Sequence, residues 1–85
     1  MSINKWGRAE QVDRNMEIAR AVLKGGSCAS VAKDHNVAPE RARQITAKYC
    51  RIANRERYNE MPERRTVDLP WLRENKADFL TGLST

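Results

Sequence analysis

Residues 27–55 read SCASVAKDHNVAPERARQITAKYCRIANR, and the fold turns on this stretch. Ser27 is a good N-cap, because a hydroxyl at that position accepts a hydrogen bond from a backbone N–H that a helix leaves unsatisfied. It predicts a short helix from Cys28 to about His35. Asn36 follows, one of the few residues besides glycine that tolerates the left-handed backbone of a sharp turn. Pro39 then stands where its fixed φ and missing N–H suit the first turn of a helix. That third helix is expected to run to roughly Arg55, with Ala42, Ile45, Tyr49, Ile52 and Ala53 turned inward. Glu40, Arg43, Gln44, Ala47, Lys48, Arg51 and Arg55 would share the outer face, since side chains three, four and seven apart fall together.

A short helix, a sharp turn and a longer helix with a basic outer face are the parts of a helix-turn-helix, which lays its second helix in the major groove. Ala32 suits such a joint because a bulky side chain would separate the crossing helices, and Val31, Val37 and Ile45 supply apolar contacts. Two positions fit less well. Ala38 has no side chain to cap the third helix, and Ala42 is small for a site between helices.

Upstream, Val12, Met16, Ala19 and Leu23 recur at spacings of four, three and four, with Ile18 and Val22 beside them, which predicts an amphipathic helix from Glu10 to Lys24. Gly25 and Gly26 end it. Downstream, Asp68 ahead of Pro70 marks a helix start, and Leu72, Phe79, Leu80 and Leu83 fall near one face of a helix reaching about Leu83. With Leu69 and Trp71 that segment is more apolar than a solvated tail requires. It either folds back or pairs with another copy, and pairing is favoured because tight operator binding by so small a unit usually needs two half-sites. The expected fold is therefore all-α: a three-helix DNA-binding domain over residues 1–60 and a helical extension over 61–85, with Leu69, Trp71, Leu72, Phe79 and Leu80 as its dimerisation residues.

Composition agrees with a single small domain. The chain has 85 residues, 16 Lys and Arg against 11 Asp and Glu, and a net charge of +5, which suits a polyanionic partner. The excess is densest from Arg41 to Arg57, where six basic residues face one acid, Glu56, whereas residues 61–85 carry four of each sign. Within the outer face, Gln44 can pair with adenine and Arg43 with guanine. Glu40 either accepts from the amino group of cytosine or interacts with the positive helix N-terminus. Together with Ala47 these form the expected base-reading set. Ser27, Arg41, Lys48, Arg51 and Arg55 are the expected phosphate contacts.

The same stretch resembles the helix-turn-helix that reads the upstream promoter hexamer in primary bacterial sigma factors, whose recognition helix carries a similar ERxRQIxAK string. That resemblance implies base contacts from Glu40 and Gln44, and a base or backbone contact from Arg43. A wider stretch, MEIARAVLKGGSCASVAKDHNVAPERARQI with the later MPERRTVDLPWLRENKADFL, is similar in layout to plasmid-borne KorA/TrfB-type repressors. This second likeness implies a homodimeric repressor acting on an inverted-repeat operator in double-stranded DNA.

Several classes are not expected. Cys28 and Cys50 are far apart with one histidine in the chain, so neither a zinc site nor a disulfide framework can be assembled. They read as reduced packing residues, and His35 as a residue of the helix boundary. There is no P-loop, no HExxH and no nucleophile with a plausible base, so neither an enzyme nor a cofactor is expected. No signal peptide or membrane span is evident, and a cytoplasmic location follows. Trp6 reads as an anchor, Trp71 as either core or dimer interface, and Arg64 and Arg65 as a solvated loop or a backbone-tracking linker. The expected function is a sequence-specific transcriptional regulator of plasmid or phage type, a repressor. The rivals are a sigma-like adaptor that binds RNA polymerase and a nonspecific nucleoid protein.

Overall fold

In a computed structural model that describes residues 9–62 and 67–83, the first helix is α1, Ala9–Leu23. Its expected stripe lies inward, with Ile18, Ala19 and Val22 fully buried and Val12, Met16 and Leu23 nearly so. Gly25 adopts φ +113°, and the amides of Gly25 and Gly26 donate back to the carbonyls of Val22 and Ala21 at 3.1 and 3.0 Å. This Schellman arrangement satisfies the last carbonyls of the helix. A Cβ on Gly26 would lie 2.9 Å from Val31 Cγ2 and 3.0 Å from the Ala21 carbonyl oxygen, so the second helix can approach only a glycine there.

That second helix, α2 (Cys28–Asp34), is capped by Ser27, whose side chain accepts from the Ser30 amide at 3.1 Å. It closes with the same device. Asn36 sits at φ 59°, and the amides of Asn36 and Val37 donate to the carbonyls of Lys33 and Ala32 at 3.3 and 2.9 Å. The chain thereby reverses within residues 35–38 and enters α3 (Pro39–Ala53). Ala38 forms no side-chain cap, as its chemistry requires.

α3 stops two residues short of the expected Arg55. Asn54 leaves the helical region at φ −152°, ψ 87°, and its carboxamide oxygen accepts from the Arg57 amide at 3.1 Å, opening the separate helix α4 (Arg55–Tyr58). The side chain of Asn54 offers a local bond that competes with helix continuation. Beyond it, the single C-terminal helix expected from the apolar spacing is two: α5 (Leu69–Glu74), capped by Asp68 through the Trp71 amide, and α6 (Lys76–Leu83). Asn75 makes the break and donates back to the Trp71 carbonyl at 2.9 Å.

These C-terminal helices fold back onto the domain. Leu72, Phe79 and Leu83 have no exposed surface and Met61 is 3% exposed, all in one core with α1, α2 and α3. The expectation that Leu72 and Phe79 serve pairing is thus corrected, since both are spent inside their own chain; Leu69, Trp71 and Leu80 are half-buried against the same core. Each fully buried Leu or Phe side chain contributes about 1.5–3 kcal/mol. Three of them are a large share of the stability of a domain this size, so Met61 and residues 67–83 complete the N-terminal core rather than extend from it.

Polar groups fix the docking. Arg73 of α5 donates to the carbonyls of Val22 and Gly26 at 3.1 and 3.0 Å, capping the end of α1. Reciprocally, Arg20 of α1 donates to the Leu83 carbonyl at 2.7 Å, at the end of α6. Gly82 presses against α3, where a Cβ would lie 2.6 Å from the Ala53 carbonyl oxygen. Arg57 ties α4 to the α5–α6 corner: it pairs with Glu60 at 2.7 Å, donates to Asn75 Oδ1 and lies 5.8 Å from the Trp71 ring centroid. Its Nε is 3.0 Å from Asp78 Oδ2, an ion pair whose N–H does not aim at the oxygen. Among the described residues there is no strand, and no helix is long and apolar enough to cross a membrane.

Candidate nucleic-acid interface

The buried residues of α3 are Ala42, Ile45, Thr46, Ala47, Tyr49 and Cys50. Cys50 is buried in keeping with its reading as a packing residue, whereas Thr46 was not expected inside. Thr46 fits because its hydroxyl donates to the Ala42 carbonyl at 2.8 Å, and Asn15 of α1 fits likewise, its amide donating to the Tyr49 hydroxyl at 3.3 Å. A polar side chain with an internal partner can be buried at little penalty, which residue type alone does not reveal. Burial pushes the Cys50 thiol up to about 12, so it stays protonated and inert. Cys28 is half-buried, and His35 is the half-buried C-cap of α2.

On the opposite side of α3, Arg41, Gln44, Lys48 and Arg51 are all exposed. Their spacing of three, four and three keeps them in one stripe. Arg55 has left α3 but is not lost to the surface, because Lys48, Arg51, Ile52 and Arg55 line one shallow depression of about 550 Å³ at the α3–α4 corner. Among the described residues, none of Arg41, Lys48, Arg51 and Arg55 has an ion-pair partner. An uncompensated row of cations creates a positive potential that an acid on the same face would cancel.

Glu40 and Arg43 lie at one margin of the stripe and engage each other. Arg43 Nε and Nη2 donate to the two carboxylate oxygens of Glu40 at 3.1 and 2.8 Å, an exposed fork across one helical turn. The bond from Arg43 holds the Glu40 carboxyl below its ordinary value, with Gln44 adding a weaker hydrogen bond, and Glu40 in turn raises Arg43. The pair occupies the Nε–Nη2 edge with which Arg43 would grip a guanine bidentately. Cys28, at the start of α2, is near enough to act electrostatically on Arg43, and exposed Ser27 precedes it.

Ala47 differs from expectation. Placed on the outer face by spacing, it is only 9% exposed. It lines a second shallow hollow, of about 340 Å³, with Arg41, Gln44, Lys48 and Arg51 on the α3 side and Tyr58 and Val67 on the other. A methyl between long neighbours is shaded by them, and the chain after α3 returns past it. Tyr58 and Val67 were missed because neither belongs to a periodic pattern; they reach the hollow only through the turn at Asn54 and the return into α5. Burial raises the Tyr58 phenol, and the nearby Arg51 opposes that shift. The expected Trp6, Arg64 and Arg65 contributions lie outside the described residues.

Among the described residues there is no group of His, Cys, Asp and Glu that could hold a metal ion. Comparison of the chain with protein-family models, curated proteins and solved structures finds no match in any of the three. The likeness to sigma-factor and KorA/TrfB-type helix-turn-helices rests on the residues quoted above.

Proposed function

We propose that this protein is a sequence-specific DNA-binding transcriptional regulator, a repressor that acts by occupying promoter DNA. In this reading α2 and α3 work as a helix-turn-helix, with α3 in the major groove. The observation that carries it is the exposed stripe Arg41, Gln44, Lys48 and Arg51, free of acids, on the solvent side of a helix entered through a tight turn. Gln44, near the middle of the stripe, is the residue that can read a base edge bidentately, and the cations around it suit phosphates. Glu40 and Arg43 read as a unit, because each holds the other's hydrogen-bonding edge. If two copies bind an inverted repeat, they pair through surfaces other than Leu72 and Phe79, which the core consumes.

Selection from a randomised duplex pool at near-physiological salt tests the proposal. Enrichment of a defined sequence is the expected result. Four cations on phosphates would give log K against log salt a slope of about −3.6, and Arg51→Ala would reduce its magnitude by roughly 0.9 without reordering preferred sequences. Gln44→Ala would instead lower discrimination at one base pair by roughly 1–3 kcal/mol. Retention without any enriched sequence, lost as salt rises, would refute the specific regulator in favour of a nonspecific binder. No retention would refute DNA binding outright.

A further inference from the structure

The hollow over Ala47 has a composition that narrows what it can receive. Its floor is the methyl of Ala47, 9% exposed and recessed between the longer Gln44, Lys48 and Arg51. Tyr58 and Val67 line it from beyond α3, and Gln44, whose side chain also bonds Glu40, lines it from α3. Cations stand at the rim, and among the described residues none that lines it is a carboxylate. We infer that this hollow reads an A·T step, receiving the 5-methyl of a thymine over Ala47 while Gln44 pairs with an adenine edge beside it. The inference rests on the DNA-binding reading and specifies what that site selects.

The chemistry of the major-groove edge supports the choice. Thymine alone among the bases presents an apolar group there, and adenine presents the acceptor and donor that a carboxamide matches with both of its ends. A cytosine amino group would want a carboxylate acceptor, and the nearby Glu40 is occupied by Arg43 and does not line the hollow. Guanine or cytosine over Ala47 would leave the recess without an apolar partner. The cationic rim places phosphate-seeking groups on the same surface, so a base edge rather than an apolar small molecule is the occupant that also satisfies the charge.

The test takes the duplex enriched by pool selection and replaces its thymines one at a time with deoxyuridine, which removes only the 5-methyl. With the wild-type protein, one thymine per half-site is expected to show about a four-fold loss of affinity, the worth of one buried methyl-sized group. In Ala47→Gly that position should bind thymine and deoxyuridine equally, with helical circular dichroism confirming the fold. Ala47→Ser, which keeps a better helix former, serves if the glycine variant unfolds, and the wild-type scan decides by itself if both do. Tolerance of deoxyuridine at every thymine, or an enriched half-site with no fixed A·T pair, would overturn the inference and leave the DNA-binding reading standing. Enrichment of no sequence would overturn that reading, and the inference with it.

Discussion

Phe79→Ala separates a folded-back C-terminal segment from a pairing arm. Phe79 has no exposed surface, and its ring lies 6.1 Å from that of Trp71, centroid to centroid, at 59°. Truncating a buried Phe costs about 3–5 kcal/mol, and the tilted aromatic pair adds about 0.5–1.5 kcal/mol that is lost with it. A chain of 85 residues has a total stability of roughly 4–13 kcal/mol. The substitution is therefore expected to remove about a quarter of the stability or more, in the isolated chain and independently of concentration. Urea unfolding followed by helical circular dichroism at two protein concentrations reads this directly. With a slope of roughly 1–2 kcal/mol/M the midpoint should fall by about 1.5 M or more at both. If Phe79 served pairing instead, the variant would abolish any concentration dependence and leave the stability of the dilute protein within about 1 kcal/mol of wild type. That result would refute the placement of α6 in the core.

Further outcomes follow from single contacts. Gly82→Ala should lower the melting temperature although alanine favours helix by about 1 kcal/mol, because the new Cβ would meet Ala53 at 2.6 Å and overpacking of this kind costs about 1–3 kcal/mol; a raised melting temperature would contradict the close approach. At Asn36, held at φ 59°, Asn36→Gly should stay near wild type while Asn36→Ala loses about 1 kcal/mol, and equal stabilities by urea titration would count against the left-handed turn. Native protein should react with a maleimide at half-buried Cys28 and spare Cys50. The Cys50 thiol titrates near 9.0 when unfolded and at about 12 when folded, so its contribution is fully present below about pH 9 and lost as pH rises towards 12. Cys50→Ala should correspondingly have a shallower alkaline decline in stability than wild type.

Where helices begin and end depended on neighbouring residues, and that much was legible. Ser27, Asn36, Pro39 and the Gly25–Gly26 pair act through hydrogen bonds and φ preferences within a turn or two, and the stripe of α1 needed only the helical period. The breaks at Asn54 and Asn75 are local as well, but each rests on one side-chain hydrogen bond that competes with helix continuation, and apolar spacing ran straight through both.

What each face meets was not local. The spacing of Leu72, Phe79 and Leu83 defines an apolar face equally suited to another copy or to the chain's own core. Only the tertiary structure chose the core, through contacts between residues more than fifty apart: Arg73 on the carbonyls of Val22 and Arg20 on that of Leu83. The candidate site divides the same way. Its cations and Gln44 follow from the helical period of α3, whereas the hollow over Ala47 exists because Tyr58 and Val67 are brought beside it from later in the chain. Period and caps are set by interactions within one turn, so sequence determined them; burial is set by which surfaces exclude water together, and only the folded chain decides that.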